Sequence, residues 1–320
     1  MSNGAKTGYA GLEESAAWLD LSARGKIAVR GEDRARLLHA MSTNDVAHLG
    51  AMEGLYAFFL TAQGRIVADA YIYNLGDRLL LDTEPELGGK LMTHLDKYII
   101  ADDAELGDET ADWGAIGLEG PESSARAAEL GIPIPETKYD VATWQEGFVT
   151  RVAASGGEGV RVFVPRERMA ELGRRLEEAS IPQASAEEAR TVRLERGVPR
   201  YGEEISERYL VQETGVLHAV HFNKGCYLGQ EIVERVRSRA QVHRHLRPIR
   251  IEGSEAPAAG TKLLADGNPA AEITSAIHSP RLGEVVGLAY VRTEALEKKP
   301  EMRVEGTEPP VKAWLREGFR

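Results

Sequence analysis

Reactive side chains crowd between His218 and His245. The densest run is Lys224-Gly225-Cys226-Tyr227-Leu228-Gly229-Gln230-Glu231. Two glycines frame a cysteine there. Lys224, and a helix beginning just past Gly229, would favour its thiolate. A core strand would not carry that lysine, those glycines and a polar Gln-Glu pair. Cys226 is therefore expected to be accessible, more acidic than the ordinary thiol value of about 8.5, and the chain's catalytic centre. It is the single cysteine in 320 residues. One thiol forms no disulfide within the chain, and an iron–sulfur cluster held by one chain usually takes about four. His218 and His221, and His243 and His245, are the other residues of metal-ligand type. His243 and His245 share a face if their segment is a strand. A zinc site needs further ligands, and there is no second cysteine, so no metal site is expected in the isolated chain.

Arg235, Arg237, Arg239, Arg244, Arg247 and Arg250 form a basic stripe on a chain of net charge −11. Such a stripe could take a phosphate, a polycarboxylate tail or a nucleic acid, or pair with the chain's own carboxylates. The acidic balance makes nucleic acid an unlikely general partner. No phosphate loop, HExxH or GxGxxG motif is present.

The elements that must position these residues are read from periodicity. A strand is expected over 25–30 and an amphipathic helix over 32–41, marked by Leu37, Leu38 and Met41. Strands follow over 55–60, 65–73 and 78–81, then a helix over 86–99. A similar order returns: a strand over 114–119, a helix over 122–130 with Pro121 at its first position, strands over 147–152 and 159–164, and a helix over 165–178. The repeat, with a period of roughly 85 residues, predicts two α+β units. A helix over 187–196, a turn-rich stretch over 201–229 and a helix over 230–237 come next. Short strands over 245–252, 262–264, 271–278, 284–291, 302–304 and 310–315, separated by glycines, predict a small barrel or sandwich. The expected domains are 12–110 with 183–241, then 111–182, then 242–320. No apolar run approaches the roughly 20 residues that span a bilayer. The polar stretch Met1 to Gly11 lacks a signal-peptide core, so no membrane and a cytoplasmic location are expected.

The run Lys224 to Glu231 resembles the signature of the YgfZ family, within the glycine-cleavage T-protein (aminomethyltransferase) superfamily. Arg193-Leu194-Glu195 through Tyr201-Gly202-Glu203 resembles that superfamily's Leu-Glu-x-Gly-x-x-x-Tyr-Gly segment. Thr43-Asn44-Asp45-Val46, and Gly54 through Tyr73, resemble the T-protein's first domain. The resemblance covers most of the chain. It implies an α+β fold of two ferredoxin-like antiparallel units plus a C-terminal small β-barrel, in a cloverleaf around a central folate site. It also implies that Tyr56, Asp69, Glu195, Tyr201 and Lys224 bind tetrahydrofolate or a one-carbon derivative. The residue types agree. Tyr56 could stack on a pterin, and Glu195 is a bidentate acceptor for an amino-pyrimidine edge. One departure matters. T-proteins carry Gly-Gly-Ile-Ile-Asp-Asp, with the first aspartate at the reacting end of the folate. Here Gly64-Arg65-Ile66-Val67-Ala68-Asp69 places Ala68 there and keeps Asp69. Asp82 likewise stands where an asparagine is found in the following strand. An alanine neither moves a proton nor stabilises developing charge.

The resemblance implies a tetrahydrofolate-binding protein that assists assembly or repair of iron–sulfur clusters. It would act through Cys226, as a monomer, with an iron–sulfur carrier or client protein. The alternative is a folate-dependent aminomethyltransferase-like one-carbon transfer enzyme, for which Asp69 is the candidate replacement acid. An RNA-associated module built on the arginine stripe is a third reading, opposed by net charge.

Overall fold

The structure, a computed structural model, describes residues 7–239, 242–298 and 300–316. Residues 1–6 of the polar N-terminal stretch, and 299 and 317–320 of the expected barrel segment, lie outside them. The chain divides into two compact units, each described by itself.

The first unit comprises Met1–Ala62, Val67–Val192 and His218–Leu228. Helix α1 (Gly8–Glu14) is capped by Thr7, whose hydroxyl accepts from the Ala10 N–H at 3.2 Å, which satisfies an orphan donor of the first turn. Strand β1 (Ala17–Asp20), β2 (Gly25–Arg30), α2 (Arg34–Met41), β3 (Gly54–Leu60), β4 (Ile66–Asn74), β5 (Leu79–Thr83), α3 (Gly88–Asp96) and β6 (Glu105–Asp108) follow. The second half repeats the plan with β7 (Trp113–Glu119), α4 (Ser123–Glu129), β8 (Val141–Trp144), β9 (Gly147–Thr150), β10 (Gly159–Pro165) and α5 (Met169–Glu178); α6 (Ala186–Glu195) follows, its residues from Arg193 on counted in the second unit. One five-stranded sheet has the order β3-β4-β5-β2-β6, the other β1-β7-β10-β9-β8. Details differ from expectation, among them the helix expected over 165–178, which opens with a 3₁₀ turn (Arg166–Arg168) ahead of α5. The helix expected over 86–99 is a 3₁₀ turn at Pro85–Leu87 followed by the shorter α3. Pro121 precedes its helix rather than opening it, because Glu122 is the N-cap and α4 starts at Ser123. The short β1, β6 and β8 carry no alternation long enough to announce a strand.

Apolar faces hold this unit together. Trp18, Ile116, Leu118, Val160 and Val162 of the second sheet pack with Leu172 and Leu176 of α5. A second cluster joins the two sheets: Ala28, Tyr73 and Leu80 from one, Ala115, Phe148 and Phe163 from the other. The Phe148 and Phe163 rings stack 4.4 Å apart. A buried ring of this kind contributes roughly 1.5–3 kcal/mol by leaving water.

The second unit comprises Gln63–Ile66, Arg193–Leu217 and Gly229–Arg320. It contains α7 (Val211–Thr214), α8 (Gln230–Arg239) and the strands β11 (Arg244–Ile251), β12 (Lys262–Ala265), β13 (Asn268–Ser279), β14 (Glu284–Arg292), β15 (Met302–Val304) and β16 (Lys312–Leu315), with α9 (Thr293–Lys298) after β14. These strands close into a barrel in the order β11-β14-β13-β12-β15-β16. Its core holds Ile249, Ile251, Leu263, Ile273, Val291 and Met302 among others. A register shift between Ile273 and Ser275 bends β13 against β14. Gly287 makes that bend possible, since a Cβ there would stand 2.1 Å from the Ser275 carbonyl oxygen. The expected architecture, antiparallel α+β sheets followed by a small barrel, is the one observed. Among the described residues no helix is long and apolar enough to cross a membrane.

Candidate functional site

In the first unit the adjacent strands β3 and β4 bring Tyr56 against Asp69. The Tyr56 hydroxyl donates to Asp69 Oδ2 at 2.5 Å. Burial, reinforced by the neighbouring carboxylate, pushes the Tyr56 pKa well above the usual phenol value, so the phenol stays protonated and stays a donor. Side chains alternate along a strand. Asp69, Tyr71 and Tyr73 therefore share one face of β4, and Ala68, Ala70 and Ile72 share the other. Tyr71 lies 5.0 Å from Tyr56, Tyr139 lies 5.7 Å from Tyr71, and His218 lies 5.7 Å from Tyr56. The result is a row of four rings in the order Tyr139, Tyr71, Tyr56, His218. Its three tyrosines are partly exposed. Partial burial, with the Lys138 charge second, holds the His218 pKa below its ordinary value, which keeps the ring neutral and flat-faced at pH 7.

Behind Tyr71 lies an ion cluster. The guanidiniums of Arg161 and Arg24 stand 5.0 and 5.9 Å from its ring centroid. Asp82 on β5 is fully buried. It accepts from Arg24 Nε at 2.6 Å and from Arg161 Nη1. Arg24 also donates to Glu84 at 2.5 Å. Burial would raise the Asp82 pKa, but the two guanidiniums outweigh it and hold the carboxyl below its ordinary range. Asp82 thus ties β5 to β10 and is occupied by that role. The Thr83 hydroxyl donates to the Asp69 carbonyl at 2.5 Å, steadying the strand that carries Asp69.

The Cys226 segment has the expected accessible thiol, but Lys224 is engaged elsewhere. Cys226 is exposed. The Lys224 ammonium donates to the carbonyls of His39, Ser42 and Asn44 at 2.5, 2.7 and 2.8 Å. Those groups lie at and just past the C-terminal end of α2, where carbonyls lack intrahelical partners. All three ammonium protons are used there, so Lys224 anchors the loop instead of facing the thiol. Burial lowers its pKa to about 8, with Asp45 opposing. Tyr227 is buried with Lys224 Nζ 5.0 Å from its ring centroid, and the Leu228 N–H donates to Ala40 O at 2.9 Å. Gly225 is exposed beside Cys226. In the second unit Gly229, with φ +84, leads into α8, whose first residues are Gln230 and Glu231. Glu231 pairs with Arg235.

Glu195 and Tyr201 belong to the second unit. Glu195 is fully buried at the end of α6 and is no surface helix charge. It accepts from the Ser279 hydroxyl, and Arg281 Nε stands 3.8 Å away. Tyr201 is buried, and its hydroxyl donates to Ile66 O at 3.4 Å. Half of the arginine stripe is ion-paired, Arg235 with Glu231, Arg237 with Glu234 and Arg244 with Glu213, and Arg250 lies over the Trp314 ring. Tyr71, Tyr139, Arg24 and Arg161 escaped the sequence reading. Tyr71 was findable, two residues from Asp69 and so on the same strand face. Nothing local marks Tyr139, Arg24 or Arg161, which arrive through tertiary packing.

Comparison with known proteins now bears on the whole chain. Residues 1–224 match the model of the GCVT N-terminal domain, and residues 244–316 that of the glycine cleavage T-protein C-terminal barrel domain. An aminomethyltransferase from Rubrobacter xylanophilus is 31% identical over 301 residues, 91% of this chain and 80% of that protein. One from Streptomyces avermitilis is 27% identical over 88% of this chain and 79% of its own length. The crystal structure of the glycine cleavage system aminomethyltransferase T from Bartonella henselae superposes with a TM-score of 0.88 at 19% identity, covering 96% of this chain and 87% of that one; it supports the fold. The expectation of an iron–sulfur assembly factor is corrected. Aminomethyltransferases match it over about nine-tenths of its length. Among the described residues no group of three or more His, Cys, Asp or Glu side chains could hold a metal ion, and a single exposed thiol supplies one ligand of the four such a cluster usually takes.

Proposed function

The chain belongs to the glycine cleavage T-protein family, and we propose that it is a folate-dependent one-carbon transferase of the aminomethyl-transferring kind. The observation that carries this reading is the Tyr56–Asp69 hydrogen bond set in a row of half-buried rings. Flat faces beside a buried carboxylate suit a heteroaromatic ligand whose edge carries N–H donors. Tetrahydrofolate is the form we propose, and its nitrogens would supply the acceptor for the one-carbon unit.

The chain's own residues do the rest. Tyr56, Tyr71 and Tyr139 offer ring faces and exclude water from the carboxylate. Asp69 is the proposed acceptor for the proton that a folate nitrogen loses as the one-carbon unit bonds to it, with ammonia and the carrier leaving, and the Tyr56 O–H, kept protonated by its raised pKa, holds the Asp69 carboxylate in place. Glu195, which accepts from Ser279 within the second unit, and the buried Tyr201 of the same unit are proposed as folate contacts on the family resemblance alone. Within the family, the Lys224 to Glu231 run supports placement in the branch that resembles YgfZ, and the division 12–110 with 183–241, 111–182 and 242–320 is the proposed domain plan.

The test is calorimetry of the purified chain with tetrahydrofolate and its methylene form, followed by turnover with an aminomethylated carrier. Saturable binding and transfer are expected. No binding at ligand concentrations of about 1 mM, where the binding free energy is only about −4 kcal/mol, would remove the reading.

A further inference from the structure

On the first strand of the barrel the partly buried Arg247 guanidinium has no carboxylate partner among the described residues. β11 pairs with β14 in unbroken register from Arg244 to Ile251, so its side chains alternate cleanly between two faces. Ile249 and Ile251 belong to the barrel core. Arg247 and His245, two and four residues before Ile249, therefore share the core-side face, at the end of the barrel where β11 begins. Their partners across the ladder are Ala289 and Val291, small and apolar, with no acceptor to offer.

Arg247 is partly buried. Its Nη1 donates to the carbonyl of its own neighbour Leu246 at 2.8 Å, and no carboxylate pairs with it among the described residues. Burial alone moves its pKa, and moves it down. The His245 pKa is also held low, by burial first and by Arg247 second. The opposing carboxylate, Glu213, is already engaged: it accepts from Arg244 Nε at 2.8 Å and from the Leu210 N–H at 2.8 Å. A charge withdrawn from water without a partner is unfavourable, and a bound anion relieves it. Gly215, left-handed at the end of α7, covers this side with no side chain. A Cβ added there would stand 3.9 Å from Arg247 Nη1.

We propose that Arg247 and His245 form a carboxylate-binding site at the end of the barrel, for a small anionic ligand. The planar guanidinium fork matches a carboxylate with two parallel N–H donors. One guanidinium with a neutral imidazole suits one carboxylate group of a ligand, which bears a single charge, better than a doubly charged phosphate group. The site goes beyond the folate reading and shares no residue with Tyr56 or Asp69, so either can fail alone.

The probe is glutarate, titrated into the full-length chain while the Arg247 side-chain N–H and His245 imidazole resonances are followed by NMR. Saturable shifts of both are expected. Arg247→Met should weaken the response at least about tenfold, and Arg235→Met, which alters an arginine already paired with Glu231, should leave it unchanged. Inorganic phosphate is the second arm. Saturation by phosphate and not by glutarate overturns the carboxylate assignment, as does a non-saturating glutarate response or equal affinity in Arg247→Met. Should Arg247→Met not fold, Arg247→Lys keeps the charge and loses the fork. Weaker glutarate binding then supports the proposal, and unchanged binding overturns it.

Discussion

At the scale of single residues, the proposed chemistry rests on a carboxylate and a phenol that share one proton-bearing contact. Ala68 and Asp69 are adjacent, yet strand alternation sends them to opposite faces of β4, so Asp69 is not the missing aspartate slipped by one place. The role proposed for it is played from the face that carries Tyr71. Asp69→Asn keeps an oxygen for Tyr56 and removes the charge that accepts a proton. Transfer should fall by on the order of 10² to 10⁴, with folate affinity changed far less. Tyr56→Phe removes the donor and should lower both. Single-turnover rates beside calorimetric affinities separate the two effects. Wild-type turnover in Asp69→Asn would take the proton-accepting role away from this carboxylate. Tyr56 and Asp69 were legible from the sequence because the Gly54 to Tyr73 run carries them. The engagement of Lys224 with three carbonyls was not, since its partners lie about 180 residues away in the chain.

At the scale of elements, the contact between β5 and β10 sets the floor under the ring row. Asp82 and Arg161 come from different sheets, and Arg24 completes the cluster. Asp82→Asn would leave two buried guanidiniums around a neutral acceptor, a loss of roughly 3–5 kcal/mol at neutral pH. The folded-state pKa of Asp82 lies below its ordinary value. The carboxylate's contribution is therefore complete above an unfolded pKa of about 3.9 and is lost as pH falls through the folded value. The stability gap between wild type and Asp82→Asn should be widest near neutrality and should narrow below about pH 4. Urea melts at neutral and acid pH measure it, and a gap that ignores pH would mean the charge is not what matters. Periodicity read most strands and helices correctly where alternation or a full helical stripe was long enough, as in β4, β10 and α5. It failed at β1, β6 and β8, each four residues long, whose pairing is decided by distant strands. The glycine-spaced strands after residue 242 left barrel and sandwich open, and closure came from β11 pairing with both β14 and β16.

At the scale of the whole molecule, the question is which part carries the chemistry. The sequence concentrates reactive residue types around Cys226, and local density invites the inference that the reaction happens there. The fold distributes them otherwise. Lys224 and Leu228 anchor the loop to α2 and its C-terminal end, with Tyr227 against Lys224, while the part-buried acid–phenol pair lies on β3 and β4 and draws on the unit's tertiary packing. Among the described residues nothing hydrogen-bonds the Cys226 thiol. Serine in its place changes volume little at an exposed position, so neither stability nor loop anchoring should move. The expected result for Cys226→Ser is a melting temperature and a one-carbon transfer rate within error of the wild type. Thiol-specific alkylation of the unmodified chain should likewise leave transfer intact, since it too acts on a group outside the proton path. A variant that folds normally, binds folate and fails to transfer would return the reaction to Cys226 and reduce Tyr56 and Asp69 to ligand-holding residues. Running Asp69→Asn in the same assay makes the decision two-sided, because the two substitutions must then differ in which one stops the chemistry.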